Sequence, residues 1–95
     1  MANARKSLDR GDISYVAGCI FRAVASLCQV LFALNGRWLL NEKGAVAAVD
    51  GFALKPADFS RSVARLYADL GAGRAAAALD RLETLIGETE RLWPN

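Results

Sequence analysis

The 95-residue sequence contains no histidine and has only two cysteines, two prolines and one methionine. Without histidine the chain cannot form a Ser-His-Asp triad, a histidine-based ribonuclease site or most kinds of zinc site. Two cysteines are too few for a four-ligand metal site, and the sequence has neither a Walker loop nor a GxGxxG motif. We therefore predict that the chain supplies no catalytic residue, no metal ligand and no cofactor of its own, and that it is not an enzyme by itself.

The two cysteines also bear on the cellular compartment. Cys19 and Cys28 lie nine residues apart on one predicted helix, on roughly opposite faces, so they cannot pair with each other. They are interpreted as small buried hydrophobic side chains. The first dozen residues are mostly polar and lack the apolar core of a secretion signal. These features predict a cytoplasmic protein.

The composition indicates one domain with a small core. Of the residues, 54% are hydrophobic and 23% are charged, and the net charge is +2. A chain of this length buries little surface and commonly depends on a partner. The net charge is too small to favour nucleic acid or a membrane surface as that partner.

The longest apolar segment, Ile13 to Leu34, is long enough to span a membrane. Arg22 lies near its middle, and a charge at the centre of a bilayer costs on the order of 2.5–3.5 kcal/mol. The polar and small residues of the segment recur at steps of four, four, four and three and so form one narrow stripe: Ser14, Gly18, Arg22, Ser26 and Gln29. This pattern predicts a soluble, central helix with neighbours on several sides.

The remaining pattern predicts an all-α fold, a four-helix bundle with a long apolar first helix. Residues 1–11 are expected to be a flexible lead-in or linker, and residues 12–93 to be the helical domain. Asp12 should cap the first helix, which ends near Asn35. The other predicted helices are a short one capped by Asn41 and ending near Gly51, one opened by Pro56 and Asp58, and one over residues 74–92. The predicted core is Phe21, Val24, Leu27, Leu31, Val63, Leu66, Leu79, Leu82 and Ile86.

One stretch, residues 35–44, stands out as a candidate binding site. It contains two cations, two amides and an indole, namely Arg37, Lys43, Asn35, Asn41 and Trp38. A helix start with a nearby cation can bind an anion through its free N–H groups. The structural alternative also stands, in which Asn41 only caps a helix, Trp38 fills the bundle and Arg37 is solvated.

The run from Asp12 to Pro56, above all FRAVASLCQVLFALNGRWLLNEKGAV, resembles the C-terminal helical domain of polymerase-β-superfamily nucleotidyltransferases of the aminoglycoside-adenylyltransferase-like kind. The resemblance extends over roughly residues 12–92. In that family an N-terminal α/β domain carries a Gly-Ser motif and paired aspartates that hold magnesium, and none of these is in this sequence. The resemblance implies a substrate-binding or lid domain that closes on a separate catalytic domain over the nucleotide and a small-molecule acceptor. ATP or another nucleoside triphosphate and Mg²⁺ would belong to that parent enzyme.

The resemblance also implies roles for individual residues. Lys43 holds the place of a lysine that reaches the triphosphate, and Arg37, Trp38 and Asn41 would line the same cleft. The stripe that contains Arg22 could face it too. A stand-alone helical interaction module that dimerises through exposed apolar surface is the alternative. In either case the chain alone is expected to form a homodimer that buries on the order of 1,000 Å² or more.

Overall fold

The computed structural model describes residues 2–94, and within that range it contains helices and no strand. The helices are α1 (Ala2–Leu8), α2 (Ile13–Leu34), α3 (Ala45–Val49), α4 (Phe59–Gly71) and α5 (Ala75–Arg91). The all-α prediction and the long apolar helix are confirmed. The four-helix bundle is not, because the described residues form five helices, of which α1 and α3 are short.

Helix α1 corrects the prediction of a flexible lead-in. Met1 lies outside the described residues, but residues 2–8 are helical and pack on both α2 and α5. Ala4 is buried, and the Arg5 guanidinium donates to Asp80 at 2.9 Å and to Glu83 on α5. A helix this short is not stable by itself, so its order comes from these tertiary contacts. One alanine and one arginine give no periodic signal, which is why the sequence pattern did not reveal it.

Both ends of α2 lie where the sequence predicted them. Asp12 accepts a hydrogen bond from the backbone N–H of Tyr15 at 3.2 Å, which confirms the predicted cap. At the other end Gly36 has a φ of +67°, and the N–H of Arg37 donates to the carbonyl of Phe32 at 2.8 Å. This is a Schellman ending, in which the left-handed position favours glycine.

Helix α2 packs on α1, α3 and α5 and supplies more of the core than any other helix. Among residues 2–94 it is also the one helix that is long and apolar enough to cross a membrane. Core helices of soluble proteins meet the same criterion, and 39% of its most apolar window is buried in this fold. Ser14, Arg22, Ser26 and Gln29 of the predicted polar stripe are exposed, while Gly18 is half-buried.

Seven of the nine predicted core residues are buried: Val24, Leu27, Leu31, Val63, Leu66, Leu79 and Leu82. Ile86 is half-buried. Phe21 was assigned wrongly, because 53% of it is exposed. Helix α2 is apolar around most of its circumference, so its periodicity could not identify which apolar residue is left uncovered.

The start of α4 is capped by a side chain from the end of α3, about ten residues earlier in the sequence. Asp58, the expected cap of α4, has a φ of +55° and makes no capping hydrogen bond. Asp50 takes that role, since its carboxylate accepts from the N–H of Ser60 at 3.1 Å and from the Ser60 hydroxyl. Helices α4 and α5 then form a hairpin. At its turn Asp69 forms an ion pair with Arg74 at 3.0 Å.

Candidate functional site

The candidate site is the connecting segment, defined as residues 35–44, which joins α2 to α3. Glycines with positive φ lie near both ends, Gly36 at +67° and Gly44 at +78°. Between them Trp38 and Leu40 are each 90% exposed. Trp38 therefore does not fill the bundle, and two large apolar side chains extend from one short loop.

Arg37 is held by an aromatic pair at the end of α2. Its guanidinium carbon lies 5.8 Å from the centroid of the Phe52 ring. That ring packs edge-to-face on Phe32, with the two centroids 4.9 Å apart. A cation this close to an aromatic face is attracted by the ring quadrupole. The Arg37 side chain is thus exposed to solvent but is held in one orientation by the Phe52 ring.

Asn41 closes a turn and does not cap α3. Its side-chain oxygen accepts from the backbone N–H of Lys43 at 3.0 Å, as asparagine does in an Asx turn. Helix α3 begins at Ala45, with Gly44 as its N-cap and no capping side chain. The predicted cap was therefore wrong. The N–H of Ala45 also donates within the segment, to the carbonyl of Glu42 at 3.1 Å.

These contacts alter the expected anion site. Helix α3 is only five residues long, so its dipole is small. Two of the amides that precede or begin it, those of Lys43 and Ala45, already have partners inside the chain. Attraction for an anion here must come from side-chain charge, and not from the start of the helix.

The side chains of Lys43 and Arg37 supply that charge. Lys43 is exposed, and within residues 2–94 no carboxylate lies at ion-pair distance from either cation. The ion pairs of the described chain are elsewhere, on Arg5, Arg74 and Arg81. Both positive charges of the segment are therefore available to a ligand.

A shallow hollow of about 480 Å³ lies beside Arg37 and Trp38. Gln29, from the polar stripe of α2, also lines it. Arg22 lies seven residues earlier on α2, roughly 10 Å along the helix axis, and its guanidinium donates to Cys19 Sγ at 3.5 Å. The structure thus brings Gln29 together with Arg37 and Trp38, whereas Arg22 does not line this hollow.

A second concavity, the apolar groove, has a volume of about 340 Å³ and was not predicted from the sequence. Its apolar walls come from α2, α3, α4 and the connecting segment: Phe21, Val24, Ala25, Leu39, Val46 and Tyr67. Cys28, Glu42 and Ala45 complete the lining. Phe21 was expected in the core but lines this groove with an exposed side chain. Its exposure could be seen only in the three-dimensional structure.

Two titratable groups of the apolar groove are shifted toward their neutral forms. Burial raises the pKa of the Cys28 thiol. Burial, and secondarily the nearby Cys28, raises the pKa of the Tyr67 hydroxyl. Both side chains are therefore uncharged at neutral pH, which leaves Glu42 as the charged side chain among the lining residues.

No protein-family model matches the chain, and no curated protein or solved structure matches it significantly. The resemblance to nucleotidyltransferases therefore stays a prediction that rests on the sequence run between Asp12 and Pro56.

Proposed function

We propose that this chain is the helical, substrate-binding domain of a nucleotidyltransferase, and that its connecting segment faces a separate catalytic domain and the bound nucleotide. One observation carries the proposal. Within seven residues, two cations without carboxylate partners, Arg37 and Lys43, flank two large apolar side chains that are 90% exposed. Such a surface suits simultaneous contact with a polyanion and with another protein domain.

The cations suit a triphosphate in different ways. The Lys43 ammonium is a compact point charge on a flexible stem, whereas the Arg37 guanidinium is a planar fork that can bind two phosphate oxygens at once. Arg37 is already oriented by Phe52, so less conformational entropy is lost when it binds. Lys43 would then neutralise the outer phosphates, and Arg37 would orient the triphosphate.

The apolar pair suits a protein partner. A tryptophan side chain can bury about 150–250 Å², and Trp38 is almost fully exposed with Leu40 two residues away. Covering both would remove from water much of the exposed apolar surface of the segment. In the proposed enzyme the catalytic domain covers them, and it also supplies the magnesium site, while the small-molecule acceptor binds in the cleft between the two domains.

Binding of a nucleotide by the chain alone tests this proposal. We would titrate the isotope-labelled chain with Mg-ATP and with inorganic tripolyphosphate and follow backbone amide chemical shifts. We expect weak binding, because half of the cleft is missing, with shifts concentrated in residues 37–44. Lys43→Gln should weaken it about two- to fivefold, the range of one exposed ion pair. Lys6→Gln removes an exposed lysine of α1 and is the matched control.

Two results would contradict the proposal. One is an equal loss of binding in the Lys6 and Lys43 variants, which would indicate diffuse attraction by all cations. The other is an absence of shifts in residues 37–44 at saturating nucleotide. In an enzyme that contains this domain beside a catalytic domain, Lys43→Ala should raise the KM for nucleotide or lower turnover while the Tm stays unchanged.

The stand-alone dimerising module is the second candidate, and the amount of exposed surface favours it. The chain exposes 5984 Å², compared with about 5,300 Å² for a typical monomer of 10.2 kDa. Sedimentation equilibrium of the wild type and of the double variant Trp38→Ser, Leu40→Ser tests whether the chain dimerises through the connecting segment. A dimer that the double variant dissociates supports the module, and a monomer at all concentrations contradicts it.

A further inference from the structure

We propose that the apolar groove is a binding site for a small molecule with an apolar body and a protonated amine, and that the Glu42 carboxylate receives the amine. Such binding does not depend on whether the connecting segment binds a nucleotide. If both proposals hold, however, the amine-bearing molecule would be the acceptor, bound in a groove that shares Leu39 with the hollow beside Arg37.

The size and lining of the groove are those of a small-molecule site. Its volume of about 340 Å³ falls in the usual range for such sites, which are mostly apolar with a few polar groups. Two aromatic side chains, Phe21 and Tyr67, form part of the wall and remain 53% and 37% exposed. Their exposed rings can pack on an apolar ligand and can also attract a cation.

The charge of the groove determines the class of ligand. Within residues 2–94 the Glu42 carboxylate accepts no hydrogen bond and forms no ion pair. The neighbouring Lys43 does not line the groove. Glu42 therefore presents an uncompensated negative charge beside apolar and aromatic surface, which complements a cation and repels a carboxylate. A primary amine can donate to the carboxylate in a charge-assisted hydrogen bond.

A matched pair of probes tests the inference. The amine probe is 4-phenylbutylamine, and its neutral counterpart is 4-phenylbutan-1-ol, which has a similar size and apolar body. Amide chemical-shift titration of the full chain gives the Kd of each probe and the location of its site. We expect both to shift residues around Val24, Val46 and Tyr67, with the amine binding about two- to fivefold more tightly, as one exposed ion pair allows. Added salt should reduce this preference.

Four variants separate the contributions. Glu42→Gln should remove the preference for the amine and leave binding of the alcohol unchanged. Glu90→Gln neutralises an exposed carboxylate on α5 and should change neither Kd. Ala25→Phe should fill part of the groove and weaken both probes equally. Lys43→Gln should weaken nucleotide binding but leave amine binding unchanged. The nucleotide proposal and this proposal can therefore fail independently of each other.

Several outcomes would overturn the inference. The charge assignment is wrong if amine and alcohol bind the wild type equally, or if Glu90→Gln lowers amine affinity as much as Glu42→Gln does. The site is wrong if the shifted residues lie away from the groove, or if neither probe binds. Because Glu42 is exposed, its substitution should leave the fold intact, so a loss of preference cannot be attributed to unfolding.

Discussion

The side chain of Asn35 forms a pair of hydrogen bonds with the backbone of Leu54. The Asn35 amide nitrogen donates to the Leu54 carbonyl at 2.7 Å, and the Leu54 N–H donates to the Asn35 oxygen at 2.9 Å. The same amide nitrogen also donates to the carbonyl of Leu31 at 2.7 Å. One asparagine therefore joins the end of α2 to the chain that leads into α4.

Asn35→Ala should lower the free energy of unfolding by about 1–3 kcal/mol, because it removes three side-chain hydrogen bonds and leaves the N–H and the carbonyl of Leu54 without these partners. Asn35→Asp should be nearly as harmful, since a carboxylate cannot donate to the carbonyls of Leu31 and Leu54. Asn41→Ala is the control, because Asn41 closes only an exposed turn. Urea unfolding followed by circular dichroism measures all three. An effect of Asn41→Ala as large as that of Asn35→Ala would contradict the bridging role.

Truncation in the core should separate buried from exposed leucines. Leu66 and Leu82 are both fully buried, so Leu66→Ala and Leu82→Ala should each cost about 2–5 kcal/mol. Leu40→Ala and Trp38→Ala should change stability by no more than about 0.5 kcal/mol, because both side chains are 90% exposed. Thermal and urea unfolding give these values. A strong destabilisation by Trp38→Ala would mean that the indole is packed inside the fold.

Stability should fall in acid because two carboxyl groups have lowered pKa values when folded. The hydrogen bond from Arg74 lowers the pKa of Asp69, and that from Ser60 lowers the pKa of Asp50. For a lowered pKa the stabilisation is full above the unfolded value, about 3.9, and is lost as the pH falls through the folded value. Urea unfolding at several pH values should show this loss in the wild type and a flatter profile in Asp69→Asn. Asp9→Asn should follow the wild type, and an unchanged slope in the Asp69 variant would contradict the assignment.

Docking of α1 should depend on a small side chain and on charge. Ala4 is 1% exposed, so Ala4→Asp would bury a carboxylate and should release α1 from the rest of the fold. Arg5→Gln should loosen α1 more weakly, and raised salt should mimic it because the pairs with Asp80 and Glu83 are partly exposed. Hydrogen exchange of the α1 amides reports the release. Lys6→Gln should leave the exchange unchanged, and equal protection in the Ala4 variant would show that the burial of Ala4 does not hold α1 in place.

The sequence predicted those features that arise from local chemistry. Asp12 caps α2 and Gly36 ends it, because an N-cap carboxylate and a left-handed glycine act within a few residues. The single apolar face of α4 correctly placed Val63 and Leu66 in the core. Long-range partners could not be predicted in this way. The capping of α4 by Asp50, ten residues before Ser60, depends on a turn of the chain that no periodicity describes.

For the candidate site the prediction was partial for a similar reason. Arg37 and Lys43 were identified from residue type, and their exposure without ion pairs agrees with a binding role. The prediction that Asn41 caps α3 was wrong, because the helix begins at Ala45, later than the pattern suggested. Glu42 was overlooked, since its importance comes from the apolar groove that Phe21 and Tyr67 form from two distant helices.

The packing of α2 against α5 has a consequence for synthesis of the chain. Helix α2 is complete at Leu34, but α5, which covers part of its apolar surface, ends only at Arg91. Translation at about 5–20 residues per second separates these events by roughly 3–12 s. During that interval the apolar surface of α2 that α5 covers in the folded protein lacks this partner. We therefore expect slow codons between residues 35 and 91 to prolong the exposure of this surface and to promote aggregation of the nascent chain.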